Sequence, residues 1–203
     1  MLSSMHPTKV SLIKSTIILL ESKSPEEITS EDVLQHSKIS KGSLYHHFAD
    51  FSELLEVSEV YLFSRYVDQS IESINMILLN SKSATEALNT LKGLARSTQT
   101  PEFHRLRYQR AMAISKSIRN ERMHKLLSVE QLRLTEALAD LIREFQERNW
   151  ANKILDPYVV AVFIQSYPIG QVIDLFTPVK VNEDHWFKLI DRVLEKVLFR
   201  VEM

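Results

Sequence analysis

The chain of 203 residues contains no cysteine, only three glycines and only six prolines. The lack of cysteine excludes disulfides, thiolate catalysis and cysteine-based zinc sites. So few glycines and prolines favour long helices over a β protein with many turns. No uninterrupted apolar run approaches the roughly 18 residues that span a bilayer, and the short run at 15–20 lacks a signal-peptide pattern. We therefore expect a soluble cytoplasmic protein that makes no membrane contact.

Charge is unevenly distributed along the chain, although the net charge is only −1. Residues 1–60 carry five lysines against nine carboxylates, a net −4. Residues 92–133 carry ten basic residues against three glutamates, a net +7. Since nucleic-acid phosphates attract basic surfaces, the middle of the chain is better suited to an anion than the N-terminal segment is.

Apolar residues recur at helical spacing along most of the chain, and no strand alternation is evident. The pattern predicts an all-α protein. A first helix is expected at about 8–22 and a long fourth helix from Asp50 or Ser52. Further helices are expected at about 84–97, 101–117, 120–149, 157–176 and 183–201. Asp156 and Asn182 are expected to cap the last two of these helices.

Two short helices joined by a tight turn are predicted between Thr29 and Phe48. Thr29 is a good N-cap, with Asp32 placed to complete a capping box. The turn follows at 37–40, and Ser40 caps a short helix of small hydrogen-bonding residues that ends near His47. This arrangement is typical of a helix-turn-helix, whose second helix reads the major groove of DNA.

The string Ser40-Lys41-Gly42-Ser43-Leu44-Tyr45-His46-His47-Phe48 resembles the TetR family of transcriptional regulators. The specific match covers roughly residues 8–55, and the remainder agrees in length and helix count only. The resemblance implies an N-terminal three-helix DNA-binding domain over 1–50. It implies a C-terminal helical effector-binding and dimerisation domain over 51–203.

The resemblance also implies which residues face double-stranded DNA: Thr29, Ser40, Lys41, Gly42, Ser43, Tyr45, His46 and His47. Two positions depart from the family. Lys38 stands where the family usually has glycine, so a lysine is expected to adopt a left-handed conformation. Phe51 stands where the family usually has a phosphate-binding lysine. Together with the net charge of −4 over residues 1–60, the phenylalanine at this position predicts a modest DNA affinity that depends on dimerisation.

A homodimer on a palindromic operator is expected because paired recognition helices must reach successive major grooves. The segment 159–164 is apolar on nearly every face, which favours burial against a partner as well as against its own core. Predicted interface residues are Phe163, Ser166, Gly170, Ile173, Trp186, Ile190, Val193 and Val197. The alternative is that these residues form ordinary monomer core.

A small apolar or anionic effector is the other expected partner, although the sequence does not establish that one exists. Pro168 inside a helix is expected to kink it and to shape a pocket. Candidate lining residues are Phe63, Tyr66, Phe103, Arg107, Tyr108, Met112, Phe163 and Tyr167. Arg107, Arg110 and Arg119 could neutralise an anionic effector, or could form a solvated basic face.

An enzyme and an adaptor protein are the two alternative classes of function. An enzyme of the di-iron type is disfavoured because Glu121-x-x-His124 is the only Glu-x-x-His in the chain, and such bundles need two. We therefore expect no enzyme activity, no cofactor and no metal. The alternative to a DNA-binding repressor released by an effector is a helical interaction or adaptor protein with a degenerate helix-turn-helix.

Overall fold

A computed structural model describes residues 5–98 and 100–199, with the side chains of all of these except residues 101 and 102. The all-α prediction is confirmed. The helices are α1 Pro7–Leu20, α2 Ser30–Ser37, α3 Lys41–His47, α4 Phe51–Asn80, α5 Ala84–Ser97, α6 Pro101–Ser117, α7 Glu121–Glu147, α8 Pro157–Gly170, α9 Val172–Leu175 and α10 Glu183–Val193. A 3₁₀ turn, Pro25–Glu27, precedes α2, and a π-helical turn, Leu194–Leu198, follows α10.

The predicted helix caps are present. The Asp156 carboxylate accepts a hydrogen bond from the Val159 N–H at 2.9 Å, at the start of α8. The Asn182 side-chain oxygen accepts from the His185 N–H at 3.0 Å, at the start of α10. Each bond satisfies a backbone donor that the first turn of a helix leaves without a partner. These short polar residues therefore fix where the C-terminal helices begin.

The C-terminal helices are shorter than predicted. The single helix expected over 157–176 ends at Gly170 and is followed by the four-residue α9. Pro168 lacks the N–H that would continue the helical ladder, and the helix ends two residues later. The helix expected over 183–201 is regular only to Val193, and its predicted last residues, 200 and 201, lie outside the described residues.

The chain forms two compact units. Unit 1 comprises the described residues up to Tyr66 together with Lys116–Leu127, and unit 2 comprises Val67–Ser115 and the described residues from Ser128 onward. The long helix α4 thus begins in unit 1 and ends in unit 2. The predicted division between 50 and 51 falls at the turn before α4.

Unit 1 is built around an apolar core contributed by α1 to α4. Leu12, Ile13, Val33, Leu44 and Leu54 are fully buried in it. Phe48, at the end of α3, is only 2% exposed. Burial of a side chain of this size stabilises the fold by about 1.5–3 kcal/mol. Leu44 and Phe48 thus fix α3 against α1 and leave the other face of α3 toward solvent.

Unit 2 contains a buried polar contact between α7 and α8. The Gln131 side-chain amide donates to Gln165 Oε1 at 2.6 Å, and Gln165 Nε2 donates to Thr135 Oγ1 at 3.1 Å. Because a buried amide is costly unless it is hydrogen-bonded, this contact specifies how α8 packs on α7.

The stretch Pro157–Leu175, which joins α8 and α9, is long and apolar enough by composition to cross a membrane. This was not expected from the sequence, since polar residues such as Gln165 and Asp174 interrupt the apolar run. Only 17% of its most apolar window is buried. The buried amide of Gln165 on α8 ties the stretch to the rest of unit 2. The exposed apolar face of α8 therefore remains available to a partner.

Candidate nucleic-acid interface

The turn between α2 and α3 has the geometry that the sequence predicted. Thr29 and Asp32 form a reciprocal capping box at the start of α2, with N–H to oxygen distances of 3.2 and 3.0 Å. Lys38 ends α2 in the left-handed conformation, with φ 57° and ψ 29°. This left-handed residue ends α2, and α3 begins at Lys41 after a short turn, which is the spacing of a helix-turn-helix.

Ser40 caps the start of α3. Its hydroxyl oxygen accepts from the Ser43 N–H at 3.3 Å and lies 3.2 Å from the Ser43 hydroxyl. Ile39, half-buried, packs against the core of unit 1, and its N–H donates to Ser37 Oγ at 3.3 Å. Buried Leu44 sets the rotation of the helix about its own axis. The short helix is therefore rigidly placed although it has only seven residues.

Seven of the eight predicted DNA-facing residues belong to α3 or to its N-cap, and none of the seven is fully buried. Lys41, Gly42, Tyr45 and His46 are exposed, and Tyr45 is 46% exposed. Ser40 is exposed as well, whereas Ser43 and His47 are half-buried. A methyl group added at Gly42 would meet no atom within 4 Å, so the glycine leaves room for a close approach from outside. Thr29, the eighth residue, is exposed at the start of α2.

The start of α4 is capped by carboxylates. Asp50 Oδ1 accepts from the Glu53 N–H at 2.6 Å, and Glu53 Oε2 accepts from the Ala49 N–H at 2.6 Å. Phe51 is half-buried and packs against the core of unit 1. Phe51 thus contributes apolar packing at the position where a lysine would contribute a cation for a DNA phosphate.

The negative charge of the N-terminal segment is neutralised within unit 1. Residues up to Tyr66 and residues 116–127 together hold ten basic and ten acidic residues, a net charge of zero. Arg122 pairs with Glu56, and Lys116 pairs with Glu59, each at 2.5 Å. The net −4 counted along residues 1–60 therefore overstates the repulsion that a polyanion would meet.

A pocket of about 820 Å³ lies within unit 2, a volume suited to a small organic molecule. It is lined by residues of α6, α8, α9 and α10 and of the loop before α10. Of the predicted lining residues, the pocket includes Arg107, which is 8% exposed, and Tyr167. The Tyr167 and Trp186 rings stack with centroids 6.0 Å apart. Sequence reasoning missed His104, Lys180 and Phe187, since no local pattern brings these three residues together.

The other predicted effector residues do not line this pocket. Phe63 is 3% exposed, a core position of unit 1. Tyr66 is also in unit 1, and half-buried Phe103 lies near the start of α6. Tyr108, Met112 and Phe163 are exposed by 45%, 48% and 51%. Of the three arginines considered for an anionic effector, only Arg107 lines the pocket.

The predicted interface residues divide into two groups. Phe163, Ser166, Gly170, Ile173 and Val197 are exposed, and Phe163 and Ile173 are 51% and 72% exposed. Trp186, Ile190 and Val193 are half-buried on α10. Gly170, Ile173 and Trp186 also line the pocket. The predicted partner surface and the pocket therefore share residues of unit 2.

The half-motif of the rival enzyme hypothesis lies at the solvent-exposed start of α7. Glu121 forms an ion pair with Lys125 at 2.9 Å, and His124 is exposed. Across residues 5–98 and 100–199, no group of three or more histidine, aspartate or glutamate residues could hold a metal ion.

Comparison with known proteins shows that the fold of this chain is similar to that of solved structures. No family model and no curated protein matches the sequence. A solved protein from Mesorhizobium loti, assigned to the TetR family of transcriptional regulators, has a TM-score of 0.69 and 14% identity over 92% of this chain and 93% of its own. A TetR-family protein from a Rhodococcus species has a TM-score of 0.65 and 19% identity over 94% of this chain and 100% of its own.

A third solved structure is that of a protein from Saccharomonospora viridis, assigned as a transcriptional regulator and in complex with choline. It has a TM-score of 0.69 and 16% identity over 95% of this chain and 98% of its own. Many of the structural neighbours are TetR-family transcriptional regulators. The chain has the all-helical fold of that family over almost its entire length.

Proposed function

We propose that the protein is a TetR-family transcriptional repressor that binds a palindromic operator as a homodimer and is released by a small-molecule effector. It would act in the cytoplasm, without enzyme activity. The observation that carries the proposal is the left-handed Lys38 turn followed by the Ser40-capped helix α3, whose outer face is accessible. A fold likeness to DNA-binding regulators supports it, and the polar residues on α3 supply donors for bases and phosphates.

Selection of bound duplexes from a random DNA library tests the DNA-binding part. A palindromic consensus is expected, with half-sites one helical turn or a multiple of it apart. Lys41→Ala and Tyr45→Ala should each weaken binding of the selected duplex at least about fivefold, since each removes a contact worth about 1–3 kcal/mol. Lys125→Ala is the matched control, because Lys125 is exposed on α7 and pairs with Glu121. Failure to select any sequence would favour the adaptor hypothesis.

The homodimer is proposed to form through α8 and α10. On α8, Val159, Val162 and Phe163 are exposed by 66%, 45% and 51%, and on α10 Leu189 is exposed by 55%. A face this apolar is usually covered by a partner. A second copy of the chain is the partner that a symmetric, two-half-site operator requires.

The effector is proposed to bind the 820 Å³ pocket of unit 2. The stacked Tyr167 and Trp186 rings offer a flat apolar wall, and Arg107 and His104 offer polar groups from α6. A ligand that binds one arrangement of the C-terminal helices better than another would shift the population of DNA-binding dimers.

Tryptophan fluorescence tests the pocket directly, because the chain has only two tryptophans. Trp150→Phe leaves Trp186 as the single reporter, and Trp186→Phe is the matched control that retains Trp150. Titration with a panel of small aromatic and aliphatic carboxylates, their neutral amides and choline should change the emission of Trp186 alone. A response of both variants, or of neither, would contradict binding at this pocket.

A further inference from the structure

The pocket of unit 2 is lined by charged and polar side chains that come from different helices. His104 and Arg107 lie one turn apart on α6, and Arg107 is 8% exposed. Glu183 belongs to the first turn of α10 and lines the same pocket. The pocket therefore has a basic wall, His104 and Arg107 of α6, and an acidic wall, Glu183 of α10.

Two further charged residues of the pocket, Asp174 and Lys180, hold together the segment 174–181. Lys180 Nζ donates to the carbonyl oxygens of Asp174 and Leu175, at 2.5 and 3.1 Å. Asp174 Oδ1 accepts from the Val181 N–H at 3.0 Å. Because these polar atoms fix the shape of the segment itself, recognition of a charged ligand is left to the basic and acidic walls.

The two walls carry opposite charges that do not neutralise each other. Across residues 5–98 and 100–199, the Glu183 carboxylate takes part in no hydrogen bond and no ion pair, so it is not paired with Arg107. The Arg107 guanidinium donates to the Thr98 carbonyl oxygen on its own side of the pocket. Glu183 is exposed, and water solvates it. A ligand that displaces this water must therefore supply a positive group or a hydrogen-bond donor in its place.

The aromatic part of the pocket lies next to Glu183 on α10. Trp186 and Phe187 follow Glu183 by three and four residues, a spacing that puts all three side chains on one face of the helix. The Trp186 ring stacks on Tyr167 of α8. An aromatic face attracts an organic ammonium group as well as apolar groups, because its π electrons carry negative charge. This side of the pocket thus suits an ammonium group attached to an apolar skeleton.

We propose that the pocket binds a small bipolar molecule, which carries a carboxylate and an ammonium group on a short apolar skeleton, as amino acids do. The inference rests on the proposed function and names the chemical class of its effector. The carboxylate would face Arg107 and His104 on α6. The ammonium group would face Glu183, and the skeleton would lie against the stacked Tyr167 and Trp186 rings. One ligand would then complement both walls, which neither a purely anionic nor a purely cationic compound can do.

Two matched series of ligands test the need for both charges. The rigid series is para-(aminomethyl)benzoate, para-methylbenzoate and para-methylbenzylamine, and the flexible series is ε-aminocaproate, caproate and hexylamine. Each series keeps the skeleton and removes one charged group at a time. The full chain carrying Trp150→Phe is titrated at neutral pH, and binding is followed through the emission of Trp186. In at least one series the bipolar compound should bind about tenfold more tightly than either singly charged analogue.

Glu183→Gln tests the acidic wall. It should lower the affinity for the bipolar compound about tenfold and leave the affinity for its carboxylate analogue nearly unchanged. Asp184→Asn is the matched control, because Asp184 is exposed in the same first turn of α10 and does not line the pocket. Glu183→Lys should shift the preference toward the carboxylate analogue. Arg107→Gln should instead lower the affinity for the two carboxylate-bearing compounds and leave that for the amine unchanged.

Melting temperatures separate loss of fold from loss of the site, and the exposed Glu183 provides the decisive variants if Arg107→Gln unfolds. Equal affinities for bipolar and singly charged compounds in both series would overturn the inference. An unchanged affinity of a folded Glu183→Gln for the bipolar compound, or no binding of any of the six compounds, would overturn it as well. Each of these results leaves the proposed function intact if an operator is selected. Failure to select an operator would overturn the proposed function itself, whatever the pocket binds.

Discussion

The carboxylate of Glu56 on α4 accepts a hydrogen bond from the Arg122 guanidinium of α7 at 2.5 Å, within unit 1. Glu56 is 2% exposed, and its Oε1 accepts from Asn120 Nδ2 at 2.6 Å and from the Ser52 hydroxyl at 3.0 Å, whereas Oε2 accepts from Arg122. Arg122 extends to Asp50 at 3.6 Å. Residues distant in the sequence thus meet at one buried carboxylate, next to the cap of α4.

Glu56→Gln should destabilise the protein. The glutamine amide lacks the negative charge to which Arg122 and Asn120 donate hydrogen bonds. Arg122 is partly exposed, however, so water can solvate its guanidinium when the ion pair is lost. We therefore expect a loss of about 1–2 kcal/mol in the free energy of unfolding, less than for a fully buried pair. Urea denaturation measures it. Glu121→Gln, at an exposed pair on α7, should cause no measurable change. Equal effects of the two variants would contradict a structural role for the Glu56 cluster.

The same carboxylate gives a prediction about pH. Burial alone would raise the pKa of Glu56, but hydrogen bonds from Arg122, Asn120 and Ser52 more than offset it and lower the pKa. A carboxyl whose folded pKa is lowered contributes stability above its unfolded pKa of about 4.3 and loses that stability as pH falls through the folded value. The stability difference between wild type and Glu56→Gln should be constant near neutral pH and shrink below about pH 4.

The positions of the caps and of the helix-turn-helix could be predicted from sequence because each depends on residues within one or two turns. Thr29, Ser40 and Asp156 show this. The Glu56 cluster and most of the pocket could not be predicted, since their members come from separate helices. The neutralisation of residues 1–60 could not be predicted for the same reason, because the neutralising cations come from residues 116–127.

Lys38→Gly should stabilise the protein. A lysine in the left-handed region, with φ 57°, costs about 1 kcal/mol that glycine avoids, partly offset by the greater freedom of glycine in the unfolded chain. We expect a net gain of about 0.5 kcal/mol, measured by urea denaturation. Lys14→Gly is the matched control, at an exposed position inside α1, and should lose about 1 kcal/mol. Destabilisation of both variants would show that a side-chain contact of Lys38 stabilises the fold by more than its left-handed backbone conformation costs.

Phe163→Glu should convert the dimer to monomer. The substitution places a charge on the apolar face of α8, which would be desolvated in the proposed interface, at a cost of several kcal/mol. Sedimentation velocity measures the oligomeric state. Leu79→Glu, at a side chain on α4 that is 77% exposed, is the matched control and should remain dimeric. A dimeric Phe163→Glu would place the interface elsewhere.

Salt dependence distinguishes the zero net charge of unit 1 from a strongly basic DNA-binding surface. Few cations are available on the α3 surface, chiefly Lys38 and Lys41, which are both exposed. The slope of log affinity against log salt should be shallow, about −4 for a dimer that neutralises about four phosphates. Lys41→Ala should reduce the magnitude by about 2, one phosphate per protomer. A slope of about −8 or steeper, or an unchanged slope in Lys41→Ala, would show that other cations of the dimer make the phosphate contacts.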